Sequence, residues 1–165
     1  MPSWRPTRES DAVVKVAQRQ GWPYALEVPM WEANIDLVQE REGVLHCLEF
    51  KYGAWRRCLA QAMCHRIATP WCWVVLDRAS AAARHEVRAQ GLGLATFTNE
   101  GVVVEVFPPI DTERVWAPIA AKLRANFEWC RGSARQSSGG SGGKNSVSYT
   151  LDRETTRRGR QCQHP

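Results

Sequence analysis

The sequence predicts an α/β protein in which helices flank a mixed central β-sheet, and three observations support this. Segments with apolar residues every third or fourth position alternate with short segments of β-branched and apolar residues. Glycine, proline and charged residues separate these segments. Residues 71–76 are apolar throughout, as is typical of a central strand covered on both faces. At 165 residues, the chain has room for one such domain but not for two of ordinary size.

The first predicted elements are a helix and a short strand. Apolar residues recur at helical spacing between Thr7, a candidate N-cap, and residue 20, and Gly21 ends the pattern. Residues 22–29 then predict a short strand whose one charge is Glu27. Glu27 is either a site residue or an edge-strand carboxylate that faces water.

The centre of the chain is a predicted β-hairpin. Residues 35–38 and 44–51 have strand composition, and the charged segment 39–43, which ends in glycine, predicts the turn between them. Side chains alternate between the two faces of a strand, so Glu49 and Lys51 share one face. Pairing of the two strands brings Asp36 close to Glu49.

These three ionisable residues predict a metal site. Two carboxylates make an oxygen-lined site of the kind that binds Mg²⁺ or Mn²⁺, with water and phosphate oxygens as further ligands. A neighbouring lysine positions the attacking water or stabilises charge on the phosphate. The alternative is structural, with Asp36 in a turn and Glu49 and Lys51 as a surface ion pair. The apolar neighbours favour the metal site, because buried carboxylates need partners.

These residues resemble a known family of enzymes. Asp36, the triplet Glu49-Phe50-Lys51, the segment 55–62 and the strand 71–76 are similar in type and order to the motifs of the PD-(D/E)XK, or restriction-endonuclease-like, nuclease superfamily. The resemblance covers roughly residues 5 to 110 and implies a restriction-endonuclease-like core. It implies that Asp36 and Glu49 bind the metal and that Lys51 serves catalysis.

Two further positions follow from the same resemblance. Many members of the superfamily have an upstream glutamate and a glutamine on the helix after the second motif, and the matching residues are Glu27 as a metal ligand and Gln61 as a catalytic residue. Ile35 stands where the superfamily's name has proline, and no second acidic residue closely follows Glu49.

A helix is predicted from about residue 54 to residue 68, with its broad face formed by Trp55, Leu59, Ala62, Met63 and Arg66. Arg56 and Arg57 lie in its first turns, where they either contact a phosphate backbone or remain solvated. Gln61 either orients water or is an ordinary exposed glutamine. His65 is not assigned a role, since a single helical histidine is more often structural or exposed.

The second half of the domain continues the alternation. A strand at 71–76, a helix at 79–90, a hairpin of strands at 94–98 and 102–107, and a closing helix at 111–129 are predicted. The domain is expected to span 1–131, followed by a Gly/Ser-rich linker and a basic, disordered tail at 132–165.

The charges are unevenly distributed between these two parts. Lysine and arginine number 15 against 15 acidic residues through Cys130, and the remaining 7 basic and 2 acidic residues supply the net charge of +5. The tail therefore either adds a salt-sensitive contact to nucleic acid or has no role. Residues 146–158 also resemble the beginning of a ribbon-helix-helix DNA-binding module, but no second helix follows.

The cysteines and the hydropathy of the chain indicate its cellular environment. The six cysteines form no C-x-x-C pair, which excludes zinc-finger spacing. Four of them lie inside predicted strands or helices, so buried free thiols in a reducing cytoplasm are expected. No signal peptide and no apolar run of membrane-spanning length is recognised, so no membrane association is expected. Among the eight tryptophans, Trp55, Trp71 and Trp73 are assigned to the core. Trp4, Trp22 and Trp31 either stack on bases or on a partner, or belong to the core or to a partly exposed patch.

Two functions are consistent with these features. The first is a Mg²⁺-dependent or Mn²⁺-dependent endonuclease that cleaves nucleic acid, with DNA preferred as the substrate. The second is a catalytically inactive nuclease-like domain that binds nucleic acid or a partner protein. A homodimer is compatible with either, since members of this superfamily often cut both strands as dimers, but no dimer surface is identified.

Overall fold

A computed structural model of the chain describes residues 8–31, 33–98, 101–109 and 112–138. Within these residues, four helices and six strands follow one another: α1 (Arg8–Gln20), β1 (Tyr24–Met30), β2 (Ala33–Arg41), β3 (Val44–Lys51), α2 (Trp55–His65), β4 (Cys72–Leu76), α3 (Ala81–Ala89), β5 (Gly93–Thr98), β6 (Gly101–Val106) and α4 (Ala117–Ser138). The predicted α/β class and the order of elements are confirmed.

The six strands form one mixed sheet in chain order, from β1 to β6. The first three strands pair antiparallel, β3 to β5 pair parallel through α2 and α3, and β6 returns antiparallel to β5. All five residues of β4 are buried, which confirms the prediction of a strand covered on both faces.

Helices cover the two faces of the sheet unequally. One core contains residues of α2, α3 and α4, including Leu59, Val87 and Phe127. The other core lies on the opposite face, where Val13 of α1 packs with Leu48 and Phe50 of β3 and with aromatic residues of β4 and β5. Thr7, the candidate cap of α1, lies outside the described residues.

The turn of the central hairpin is shorter than predicted. β2 continues to Arg41, and Glu42 and Gly43 alone make the turn, with φ values of 51° and 80° that suit a two-residue connection. The charged residues before the turn are accommodated in the strand. Arg41 lies 4.2 Å over the ring of Trp22, and Glu40 accepts a hydrogen bond of 2.5 Å from Arg124 of α4.

The closing helix begins and ends later than predicted. α4 begins at Ala117, so that Pro118 occupies the first turn, where proline is tolerated. The helix continues through Gly132 to Ser138, into the segment where a linker was predicted. A single glycine weakens a helix by only about 1 kcal/mol relative to alanine, so Gly132 does not end it.

The remaining differences are small. α2 ends at His65 rather than at residue 68, and α3 is shortened to nine residues by the cap at Ser80, whose hydroxyl accepts a 3.1 Å hydrogen bond from Ala83 N–H. Residues 139–165, including the segment that resembles a ribbon-helix-helix module, lie outside the described part of the chain. Within the described part, every helix is either too short or too polar to cross a bilayer.

Candidate functional site

The candidate site lies on the sheet face covered by α2, at the carboxyl end of β3. Glu49 contacts α2 through a hydrogen bond to His65, whereas Phe50 belongs to the core on the α1 side. Lys51 returns to the face of Glu49 and pairs with Asp36 of β2. The alternation predicted for the Glu49-Phe50-Lys51 triplet is therefore present.

The outer part of the site is a carboxylate–ammonium pair. Lys51 Nζ lies 3.5 Å from Asp36 Oδ2, and each side chain is 26% exposed. The same oxygen of Asp36 accepts a 2.8 Å hydrogen bond from the backbone N–H of Phe50. Solvent and a charged ligand therefore have access to this pair, and the hydrogen bond holds Asp36 in place.

The inner part of the site is a buried pair of ionisable residues. Glu49 Oε1 lies 3.0 Å from His65 Nε2, and their side chains are only 1% and 3% exposed. Three buried side-chain nitrogen or oxygen atoms among the described residues have no hydrogen-bond partner: Glu49 Oε2, Gln61 Oε1 and His65 Nδ1. Each such atom destabilises a fold by about 1–3 kcal/mol unless a ligand, ion or water satisfies it. All three belong to β3 and α2, at the predicted site.

Burial governs the electrostatics of Glu49. It raises the pKa of this carboxyl above its ordinary value, and the hydrogen bond with His65 opposes the rise. The negative charge of Asp36 raises the pKa further, while Lys51 lowers it. Asp36 and Lys51 are therefore close enough to Glu49 to influence its ionisation, and a bound cation would favour the carboxylate form.

Helix α2 contacts β3 through its inner face, formed by Cys58, Leu59, Ala62 and His65. The predicted face was partly wrong, since Met63 is 40% exposed and Arg66 follows the helix. Cys58 donates a 3.1 Å hydrogen bond to the carbonyl oxygen of Glu49. Burial and the charge of Glu49 raise the pKa of the Cys58 thiol to about 12, so this cysteine joins helix to strand and does not act as a nucleophile.

His65 is the residue of the site that sequence reasoning did not assign. A signal for it exists, because residues 58, 62 and 65 recur at the spacing of one helix face and the first two are small and apolar. Gln61, which was assigned, lies one turn before His65 on the same helix and is half-buried.

Trp31 covers the imidazole of His65 from the tip of the β1–β2 hairpin. The two rings are parallel within 3°, with centroids 6.4 Å apart, and Trp31 is 46% exposed. Its φ of 49° is unusual for a residue other than glycine. Of the other stacking candidates, Trp22 is half-buried beneath Arg41, and Trp4 lies outside the described residues.

The tryptophans assigned to the core all pack there. Trp73 is buried, and Trp55 and Trp71 are partly buried against the two cores.

Glu27 lies opposite Asp36, between the paired positions Leu26–Leu37 and Val28–Ile35. It has a φ of 51°, and its carboxylate accepts a 3.2 Å hydrogen bond from Asn34. Across the described ranges, no three His, Cys, Asp or Glu side chains are arranged to hold a metal ion. The structure therefore does not bring Glu27 into one cluster with Asp36 and Glu49, and its role as a ligand stays a prediction.

The two arginines proposed for nucleic-acid contact are both exposed. Arg56 and Arg57 lie in the first turn of α2, which three residues separate from the end of β3, and no acidic residue accompanies them in that turn. The guanidinium of Arg56 lies 4.3 Å over the ring of Trp55. Their contact with phosphate stays a prediction.

The cysteines of the described part are free thiols. Cys47, Cys58 and Cys72 are buried, Cys130 is half-buried and Cys64 is exposed on α2. The expectation of buried free thiols therefore holds for three of them.

Comparison with known proteins identifies a fold relative. No family model matches the chain, and no curated protein sequence matches it either. Among solved structures, the chain is similar to the SPO1766 protein of unknown function from Silicibacter pomeroyi, with a TM-score of 0.58 and 16% sequence identity. The similarity covers 82% of this chain and 90% of that one. At this identity the likeness concerns the fold alone.

Proposed function

We propose that the chain is a Mg²⁺-dependent endonuclease that hydrolyses phosphodiester bonds in nucleic acid, with DNA as the first substrate to test. One observation carries this proposal. Glu49 is fully buried yet leaves Oε2 without a partner, on the same face as the accessible Asp36–Lys51 pair. A buried carboxylate oxygen in this position is suited to a cation.

The side chains present fit a hard divalent ion. Asp36 and Glu49 would hold it, and Gln61 offers a further unpartnered amide oxygen from α2. When bound, the ion supplies an activated water and neutralises charge on the phosphate. Water and phosphates complete the coordination of Mg²⁺ in many enzymes, so a site with few protein ligands is compatible with this ion.

The other residues have roles toward the substrate. Lys51, held 3.5 Å from Asp36 and partly exposed, would orient the attacking water or stabilise the developing charge. Arg56 and Arg57 would bind backbone phosphates next to the scissile bond, because they are exposed in the first turn of α2, which begins soon after Lys51.

A second function is favoured by one feature. No cluster of three acidic, histidine or cysteine ligands exists among the described residues, and one oxygen of Glu49 is already bonded to His65. An inactive nuclease-like domain that binds nucleic acid without turnover would have such a site. This alternative predicts binding of DNA without metal-dependent cleavage.

Cleavage assays with conservative variants test the proposal. Supercoiled plasmid, linear duplex, single strand, branched junction and RNA are incubated with Mg²⁺, Mn²⁺ or EDTA. We expect metal-dependent cutting by the wild type and a loss of about 100-fold or more in rate for Asp36→Asn, Glu49→Gln and Lys51→Met, because each change removes a charge used in the transition state. Lys51→Met should still bind Mn²⁺.

Asp11→Asn and Lys15→Met are matched controls, since both residues are exposed on α1, on the other face of the sheet. They should cleave at the wild-type rate. DNA binding without cutting by the wild type would favour the inactive binding domain, and full activity of both carboxylate variants would refute the proposed site.

A further inference from the structure

His65 and Glu49 form the buried, inner part of the candidate site. Their contact of 3.0 Å joins Nε2 to Oε1 and leaves Oε2 of the same carboxylate without a partner. An ionised carboxylate only accepts hydrogen bonds, so Nε2 must carry the proton when Glu49 is in the form that binds a metal. The bond then selects which oxygen remains available.

We propose that His65 is a positioning residue that fixes the Glu49 carboxylate so that Oε2 is presented to the metal. This inference rests on the proposed function. A carboxylate can rotate about its last torsion, and the terminal torsion of glutamate is broad. A donor bonded to one oxygen removes that freedom and holds the other oxygen in one direction.

The surroundings of His65 are suited to this role. The imidazole is 3% exposed on the inner face of α2, and that helix is bonded to β3 by the Cys58 thiol at the carbonyl of Glu49 itself. Trp31, which is itself 46% exposed, lies parallel to the ring. Helix α2 therefore contacts Glu49 twice, through Cys58 at the backbone carbonyl and through His65 at the side-chain carboxylate.

Mn²⁺ binding, measured by electron paramagnetic resonance on the whole chain, separates this role from a structural one. His65→Phe keeps a planar ring but has no donor, whereas His65→Gln keeps an N–H donor near the position of Nε2. We expect His65→Phe to weaken Mn²⁺ binding by about 10–100-fold and His65→Gln to stay within about threefold of the wild type. His85→Phe on α3, where His85 is exposed, is the matched control and should bind as the wild type does.

Three results of the Mn²⁺ measurement would overturn the proposal. Equal Mn²⁺ affinity of His65→Phe and wild type would refute the role of His65 and leave the proposed nuclease intact. Nitrogen coupling to the bound Mn²⁺ from the His65 ring would show direct ligation instead of positioning. Absence of Mn²⁺ binding by the wild type would overturn both the inference and the proposed function.

A measurement on the wild type covers the case in which His65→Phe does not fold. Nitrogen-15 shifts of the His65 ring report which nitrogen carries hydrogen. We expect Nε2 to be protonated in the presence of saturating Mg²⁺, with its proton hydrogen-bonded. A ring protonated at Nδ1 alone would refute the proposed donor to Glu49.

Discussion

At the scale of single residues, β3 buries a histidine and a carboxylate on opposite faces, His46 and Glu49. His46 is satisfied, because Nδ1 accepts a 3.1 Å hydrogen bond from the indole N–H of Trp73 and its ring stacks on Trp71 at 4.9 Å. Glu49 instead retains an unpartnered oxygen. Buried polar atoms in a core are normally paired. The hydrogen bond of His46 is therefore typical of a core residue, whereas the unpartnered oxygen of Glu49 indicates a candidate site.

His46 should make stability depend on pH. Burial, and then the charge of Arg41, lower its pKa to about 4, whereas an unfolded histidine titrates near 6.5. Between these values the unfolded chain binds more protons, so stability present above pH 6.5 is lost as pH falls toward about 4, by an amount on the order of 2 kcal/mol. Urea unfolding of the wild type from pH 7 down to pH 4.5 measures this loss.

His46→Asn is the control for this titration, because asparagine retains an acceptor for Trp73 and does not ionise in this range. The stability difference between the wild type and His46→Asn should shrink as the pH falls. Parallel pH profiles would show that His46 does not contribute. Other titrating groups, including Glu49, cancel in the comparison.

At the scale of elements, the β3–α2–β4 unit positions the site. The helix returns over the strand it follows, and its inner residues at one-turn spacing place His65 against Glu49. On the opposite face of the sheet, β5 packs closely against the Trp73 ring of β4. Gly93 begins β5 opposite Trp73, and a Cβ at Gly93 would lie 2.4 Å from the Trp73 ring.

Gly93→Ala should therefore destabilise the fold by about 1–3 kcal/mol, the range for overpacking a filled core. The Trp73 ring cannot move freely, because it is hydrogen-bonded to His46 and packs edge-to-face with Phe107. Gly132→Ala is the matched control, since a Cβ there meets nothing within 4 Å, and alanine should stabilise α4 by about 0.5–1 kcal/mol. Unfolding curves with equal midpoints for Gly93→Ala and wild type would contradict the packing argument.

At the scale of the whole molecule, charge is divided between the domain and the residues after it. The chain through Cys130 is neutral, with 15 basic and 15 acidic residues, so affinity for nucleic acid in that part depends on local placement such as that of Arg56 and Arg57. Residues 139–165 contain five basic residues, namely Lys144, Arg153, Arg157, Arg158 and Arg160, against Asp152 and Glu154.

A chain that ends after Ser138 should bind DNA with a weaker dependence on salt. The plot of log affinity against log salt concentration has a negative slope, and each lost phosphate contact reduces the magnitude of this slope by about 0.9 for duplex DNA. Cleavage at low salt should persist, because Asp36, Glu49, Lys51 and His65 all precede the cut. Binding isotherms across a salt series measure the slope, and identical slopes for the two chains would exclude a role of the tail.

The sequence by itself determined the class, the order of the elements and the alternation of Glu49, Phe50 and Lys51 between the two faces of β3. These properties are local, since the period of two in a strand and of about 3.6 in a helix assigns residues to faces without knowledge of their partners. The shared face of Glu49 and Lys51 was predicted correctly for this reason. The limits of β3 were also predicted correctly, because Gly43 and Gly53 flank a segment of strand composition.

Only the tertiary structure decided which polar residues are enclosed and what they contact. Gln39, predicted in a turn, is a buried strand residue. Helix α4 continues through Gly132, although the local sequence predicts that the helix ends before this glycine. His65 became a candidate because α2 packs against β3, which buries the imidazole against Glu49 and leaves three polar atoms unpartnered. Burial and hydrogen bonding across elements arise from packing between distant segments, and no short window of sequence contains both sides of such a contact.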